Sequence, residues 1–311
     1  MGALLWGPHP TDTGLLTQSV ALWACVWTLV YYVTGALIAR ISRNFELHKK
    51  KYIFYDWGCR GVSTVFCFAA LPLATHVLFF EREVQENHLH ARTHSYTLLM
   101  TMAVGYFVWD TVFCILYTSL EFVLHGVICM LTLGMCLFSP EFPLPWMAAG
   151  TLMFEWSTIF LNARWILITF KQTDTSLFTF VNVSFAVMYM VCRIVWGHLF
   201  LIPYSWKTLA SDEVAGLHVS IRVWMIAAST LSGALNTLWM WQLLQGIVAK
   251  YSGGKGGKGK DVLENTRDGQ LQGGCGGDRS TPLAGERGQP DNQSQQTQQQ
   301  SQQQSKDKKS R

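Results

Sequence analysis

The chain has 311 residues, half of them hydrophobic and only 14 % charged, with 13 tryptophans and a formal net charge of +4. That balance excludes an ordinary soluble enzyme and points to a protein that spans a membrane several times. The basic residues fall in short segments between apolar runs, so they report topology rather than a nucleic-acid partner, and none is expected.

The first apolar run covers residues 15–39. No Lys or Arg precedes it, and Arg40, Arg43, Lys49, Lys50, Lys51 and Arg60 follow it. This is not the charge order of a cleaved signal peptide, and the positive-inside rule places the basic segment in the cytosol. Further apolar runs lie near 58–80, 97–118, 121–138, 146–168, 176–200 and 218–248. Each is about as long as the roughly 20 residues that cross a 30 Å hydrocarbon core as a helix. Seven spans with the first residue outside put 164–174, with Arg164 and Lys171, and the lysines 250, 255, 258 and 260 on the cytosolic side. Segments 81–96 and 201–217, mixed in charge, then lie outside. Only Thr118, Ser119 and Glu121 punctuate the third and fourth runs, which predicts a tight hairpin. Ser139–Pro145 holds three prolines in seven residues and predicts a clear turn.

The expected fold is therefore an all-α integral membrane helix bundle of about seven transmembrane helices. Residues 1–51 form an N-terminal span and basic cytosolic loop, 52–250 the main domain, and 251–311 a Gly/Lys/Gln-rich cytosolic tail. That tail has too few large apolar side chains to fold. It ends Lys308-Lys309-Ser310-Arg311. Lysines third and fourth from a cytosolic end match the dilysine retrieval signal of the endoplasmic reticulum, read by coat-type sorting machinery. The plasma membrane is the alternative location.

Three charged or titratable residues interrupt the greasiest part: Asp110, His125 and Glu155. A charge at mid-span costs about 2.5–3.5 kcal/mol on insertion scales, so such residues face a bundle interior, pair, or do chemistry. Tyr106 and Asp110 are one helical turn apart, as are Glu121 and His125, while Glu155 and Asn162 are two turns apart. Arg193 lies at a depth where it can meet Glu155. These spacings predict a polar seam through the bundle. A histidine near a carboxylate is the minimal acid–base pair, and it is also a common structural network within membranes. His88, His90 and His94 cluster in the outer loop, but no CxxC or CxxH spacing accompanies them. No metal site is expected.

Three stretches carry a resemblance: Gly105-Tyr106-Phe107-Val108-Trp109-Asp110, Leu120-Glu121-Phe122-Val123-Leu124-His125, and Glu155 to Trp165 with Asn162-Ala163-Arg164. Together they resemble the TLC-domain family, which includes ceramide synthases and translocation-associated membrane proteins. The resemblance implies a six-helix domain over about 52–250, preceded by one extra span. Ceramide synthases carry two adjacent histidines where this chain has Leu124-His125, and a His-Asp step where it has Glu155-Trp156-Ser157. The likeness is thus closer to the other TLC-domain proteins. It implies a role in lipid homeostasis, with an acyl lipid bound, sensed or moved in a cavity lined by Tyr106, Asp110, His125, Glu155, Asn162 and Arg193. The alternative it implies is a lipid acyltransferase with His125 as base or nucleophile and Asp110 and Glu155 tuning it. Membrane lipids are the expected partners. No cofactor is expected, and acyl-CoA enters only as a substrate of the alternative. A seven-span receptor is disfavoured, because the third span lacks a terminal Asp-Arg-Tyr and the seventh an Asn-Pro-x-x-Tyr.

Overall fold

The structure, a computed structural model, describes residues 12–42 and 53–252. Most of the basic loop, the Gly/Lys/Gln-rich tail and Lys308 and Lys309, expected to act as a retrieval signal, lie outside the described residues. Within them every regular element is helical and no strand is present. The order is α1 (Thr13–Ser42), α2 (Ile53–Phe79), a short α3 (Arg82–Glu86), α4 (His94–Tyr117) and α5 (Leu120–Phe138). Then come α6 (Pro145–Leu152), a 3-10 turn (Met153–Glu155), α7 (Trp156–Thr169) and α8 (Ser176–Tyr189). A π-helical stretch (Met190–Leu201), α9 (Ile202–Ala210), a second 3-10 turn (Asp212–Val214) and α10 (Val219–Ser252) complete the bundle.

Among the described residues five helical segments are long and apolar enough to cross a membrane: Thr13–Ile38, Tyr55–Phe79, His94–Tyr117, Leu120–Phe138 and Ser176–Ala210. The other two expected spans exist as helical segments of a different kind. The run near 146–168 is cut by the 3-10 turn, so neither α6 nor α7 reaches spanning length alone. α10 is long, but Asn236, Gln242 and several Ser and Thr residues dilute its apolar face. The exterior of the described bundle is apolar nearly all round. Leu29, Phe68, Phe180, Leu199, Val223 and Trp241 are each more than half exposed. A surface of that kind suits lipid rather than water.

Local chemistry sets the helix ends. The Asp12 carboxylate accepts the Leu15 N–H at 3.0 Å and starts α1. The Thr93 and Thr175 hydroxyls do the same for Tyr96 and Phe178 and start α4 and α8. The third–fourth hairpin closes in two residues, Thr118 and Ser119, as the sequence predicts. α6 begins at Pro145, preset for a first helical position. Leu144 before it holds φ 50°, a left-handed conformation that costs a side-chain-bearing residue about 1–2 kcal/mol. Its N–H donates to Leu89 O at 3.0 Å, and its side chain is buried, which together hold it there. At the end of α7, Lys171 takes the left-handed position (φ 56°), with its N–H on Ile168 O and that of Gln172 on Leu167 O.

The two ends of the bundle differ. At one, the segments after α3, α5 and α9 meet. Arg92 Nη2 donates to Leu137 O and Ser139 O, the Tyr96 hydroxyl to Pro143 O, and His90 Nδ1 pairs with Glu141 O. Arg222 belongs to the same end. It donates to Leu209 O and Ser211 O, where a cation suits the last carbonyls of α9. At the opposite end the closures are ring contacts: Tyr55 with Tyr117, and Trp57 with Trp165 and Phe170. This grouping of turns is the alternation that seven antiparallel segments require.

α2 is central, touching α1, α4, α6 and α7. Its approach to α1 is close. A Cβ at Gly58 would meet the Tyr31 ring at 2.6 Å, and one at Gly61 would meet Thr34 at 2.5 Å. α4 approaches α1 equally closely through Gly105, where a Cβ would stand 2.6 Å from Trp23 Cβ and 2.9 Å from Val20 O. Small residues at such crossings let membrane helices gain from backbone-to-backbone packing. The first glycine of the Gly-Tyr-Phe-Val-Trp-Asp stretch is thus the docking point of the extra N-terminal helix.

Candidate functional site

Four helical segments bring the sequence-predicted polar residues together. Tyr106 and Asp110 come from α4, His125 from α5, Glu155 from the 3-10 turn, and Arg193 from the π-helical stretch. All five line one cavity of about 150 Å³. It lies toward the end of the bundle where α4 turns into α5: Asp110 is seven residues from the last residue of α4, and His125 five from the first of α5. α7 contributes Ser157 and Thr158, and α10 contributes Trp239 and Gln242.

Arg193 is the best-held group. It is buried, and its Nε donates to Ser157 Oγ at 3.0 Å, Nη1 to Asn236 Oδ1 at 3.0 Å and Nη2 to Thr158 Oγ1 at 3.4 Å. Its guanidinium carbon lies 5.3 Å from the centre of the Tyr189 ring and 6.0 Å from that of Trp239. The expected Arg193–Glu155 meeting takes the form of a shared cavity. Among the described residues the hydrogen bonds of Arg193 go to neutral oxygens, and no ion pair joins the two. A twelve-residue π-helical stretch is unusual, since π geometry appears mostly as single turns and often at functional sites. Gly197 permits this one to lie against α6–α7, with the Phe154 ring 3.0 Å from where a Cβ would be.

Each carboxylate has a thiol as its partner. Cys114 Sγ lies 3.9 Å from Asp110 Oδ2, and Cys67 Sγ lies 3.8 Å from Glu155 Oε2. Cys129 Sγ lies 3.8 Å from His125 Nε2 and 3.9 Å from Nδ1. That thiol is the only hydrogen-bond-range partner of the His125 ring nitrogens among the described residues. The ring is flanked by Trp239 at 5.6 Å and Phe107 at 6.4 Å. Cys129 also lines a second, smaller cavity of about 60 Å³ between α5, α6, α9 and α10. His125 and Cys129 thus stand between the two spaces.

Two expectations need correction. Asn162 does not line the cavity with Glu155. Its side chain turns to α2, with Nδ2 donating to Thr64 Oγ1 at 3.0 Å and Ser63 Oγ at 3.2 Å, and Oδ1 accepting from Arg60 Nη1 at 3.3 Å. Glu155 is the last residue of the 3-10 turn rather than part of α7, so it lies outside the α-helical register that the two-turn spacing assumed. Asn162 reaches the cavity only through Ser63, which lines it. Glu121, expected on the His125 face, is exposed and takes no part.

The sequence reading missed Arg60, Ser63, Ser157, Asn236 and Trp239. Arg60 and Asn236 carried a signal, as polar residues inside apolar runs. Ser63, Ser157 and Trp239 carried none, because small hydroxyls and indoles are ordinary in such runs. In the loop after α3 His88 Nδ1 meets the Tyr204 hydroxyl at 3.1 Å, while His90 turns to Glu141 O. The loop histidines therefore serve separate partners. Among the described residues no group of three His, Cys, Asp or Glu side chains is placed to hold a metal ion.

Comparison with known proteins gives one family. A family model described as the TLC domain matches residues 56–245. TLC domain-containing protein 4-B of Danio rerio is 26 % identical over 221 residues, covering 68 % of this chain and 81 % of that protein. TLC domain-containing protein 4 of Homo sapiens is 23 % identical over 243 residues, covering 76 % and 90 %. An uncharacterized TLC domain-containing protein of Schizosaccharomyces pombe is 25 % identical over 244 residues, covering 73 % and 78 %. The family domain begins near the start of α2 and ends within α10, leaving α1 as the additional helix. With its spanning apolar helices and a domain match over more than half its length, this chain is a membrane protein belonging to the TLC-domain family.

Proposed function

We propose that the protein acts in lipid homeostasis: it binds an acyl lipid at the polar cavity, senses or moves it, and thereby influences membrane lipid composition. One observation carries this reading. Asp110, His125, Glu155 and Arg193 line a single cavity inside a bundle whose exterior is apolar. Charges kept at that cost inside a membrane protein mark a ligand or proton pathway by default. A volume of about 150 Å³ suits part of a ligand, since whole drug-sized ligands occupy pockets of roughly 300–1,000 Å³. A lipid would then place its headgroup in the cavity and its chains against the apolar helices outside. The test is the lipid that copurifies with the full chain, measured beside Asp110→Ala and Glu155→Leu. Loss of bound lipid in folded variants is the expected result. Unchanged lipid content in both would refute the reading.

A second reading is favoured by His125, whose ring nitrogens have no oxygen or nitrogen partner among the described residues. In acyl transfer, His125 would take the proton of an acceptor amine or hydroxyl. The acceptor would form an amide or ester as the thioester of acyl-CoA breaks, and the proton would leave with the CoA thiol. Labelled acyl-CoA offered with sphingoid bases and lysolipids, beside His125→Ala, distinguishes the readings. A labelled lipid product that vanishes in the variant makes the protein an acyltransferase.

The charge pattern supports a C-terminus in the cytosol, and Lys308 and Lys309 support residence in the endoplasmic reticulum through coat-type sorting machinery. Changing both lysines to serine should release the protein to later compartments, such as the plasma membrane.

A further inference from the structure

The cavity is electrically divided. Two carboxylates, Asp110 and Glu155, approach it from α4 and the 3-10 turn. One guanidinium, Arg193, approaches from the π-helical stretch. Glu155 and Arg193 are each more than nine-tenths buried. On the acidic side, a thiol at 3.8–3.9 Å is the only hydrogen-bond donor within range of each carboxylate among the described residues. An ionised carboxylate has about four lone-pair sites, so most of its accepting capacity faces the cavity. On the basic side, Arg193 has committed three N–H groups to Ser157, Thr158 and Asn236. Of the five donors of a guanidinium, two remain.

We propose that the cavity receives a zwitterionic lipid headgroup with a primary ammonium and a phosphate. The ammonium sits at Asp110 and Glu155, and the phosphate at Arg193. This rests on the lipid-binding reading above and adds the chemical class of the lipid. Size agrees: about 150 Å³ is the space that holds a benzene-sized guest, enough for a short headgroup and too little for chains as well. The ring contacts argue for a primary ammonium over a quaternary one. A methylated ammonium is bound by open aromatic faces. Here Tyr106 stacks on Phe66 at 3.9 Å, and Trp239 stacks on Phe122 with an interplanar angle of 17°. Stacking takes one face of each of these two rings, and Arg193 lies over Tyr189 and Trp239, while the two carboxylates keep most of their oxygens open, and those want N–H donors.

The test uses the full chain in detergent, with binding measured by native mass spectrometry. The probes are dioleoyl phosphatidylethanolamine, phosphatidylcholine, phosphatidic acid and the water-soluble phosphorylethanolamine. The expected result is a preference of about tenfold or more for phosphatidylethanolamine over the other two lipids, since hydrogen bonds to charged groups are the strong ones. In Asp110→Asn and Glu155→Gln, both near-isosteric, the preference over phosphatidylcholine should fall toward unity while lipid is still bound. Arg193→Gln should instead weaken phosphatidylethanolamine and phosphatidylcholine together. Monodisperse elution establishes that each variant is folded. Equal binding of phosphatidylethanolamine and phosphatidylcholine, or tightest binding of phosphatidic acid, would overturn the headgroup assignment and leave the lipid-binding reading intact. Phosphorylethanolamine binding as tightly as the lipid would overturn the lipid source. Wild type that binds none of them would overturn both readings.

Discussion

Where α1 meets α2 and α4, the helices touch through glycine and rings. Gly58, Gly61 and Gly105 let backbones close in, and Trp27, Phe66 and Tyr106 fill the space between them. Where α7, the π-helical stretch and α10 meet, the contact runs through Arg193 and its oxygen partners, and a cavity remains. The first region gains from dispersion and has no room to adjust. The second gains from hydrogen bonds to a buried cation and keeps space for a guest. The protein thus holds a polar site in hydrocarbon between two unlike corners: a close-packed one that carries Tyr106 and Asp110, and a polar one that faces them across the opening.

The largest expected effect comes from breaking the close-packed side. Gly105→Leu places a side chain against the backbone of α1, which has nowhere to move without opening the helix pair. Overpacking of this kind costs about 3 kcal/mol at the upper end of its usual range. A fall of many degrees in the thermal midpoint in detergent is expected, and a wild-type midpoint would show that the α1–α4 contact is loose. At the seam between the two regions, Asn162→Ala removes three hydrogen bonds and leaves Arg60, Ser63 and Thr64 short of a partner each. The cost should be about 1–3 kcal/mol. Because Ser63 lines the cavity, lipid retention should weaken in the same variant, whereas a merely structural asparagine would lower the midpoint alone.

A weaker effect is expected at His88, outside both regions. Burial beside Trp146 holds the His88 imidazole below its ordinary pKa. The unfolded chain therefore binds that proton more readily than the folded one. Stability from this site is full above the ordinary histidine value of about 6.5, and is lost as pH falls toward the lowered folded value. His88→Phe keeps a ring on Trp146 and removes the titration. Its midpoint should drop less than that of wild type between about pH 7.5 and pH 5. An equal drop would assign the acid sensitivity to other groups.

Much of this was legible in the chain. Six of the seven apolar runs have helical ends within about five residues of those expected, because run length and turn chemistry act locally; the run expected at 176–200 continues as helix to Ala210, into the segment expected to be a loop. Thr118-Ser119 and Ser139–Pro145 are both turns. The convergence of Tyr106, Asp110, His125, Glu155 and Arg193 was legible through a single rule: charged groups in hydrocarbon seek the interior. What stayed hidden depends on which helices touch. Spacing along one helix shows that Tyr106 and Asp110 share a face. It cannot show that Asn236, 43 residues from Arg193, supplies one of its acceptors. The π-helical stretch and the 3-10 turn were hidden too, since both are backbone registers imposed by neighbours. The misplacement of Asn162 goes with the second, because Glu155 belongs to that turn and not to the helix that carries Asn162.

Gly105 has a consequence for variation. Two glycines of similar standing in the sequence have opposite tolerance: at Gly134 nothing lies within 4 Å of an added Cβ, while at Gly105 three atoms of α1 do, two of them main-chain. Residue 134 can drift freely among small and medium side chains. Residue 105 admits one amino acid of the twenty for as long as the first helix stays docked. A lineage that discarded that helix would leave the position open to change, so the identity of residue 105 in a sequence records whether the helix before it is in place.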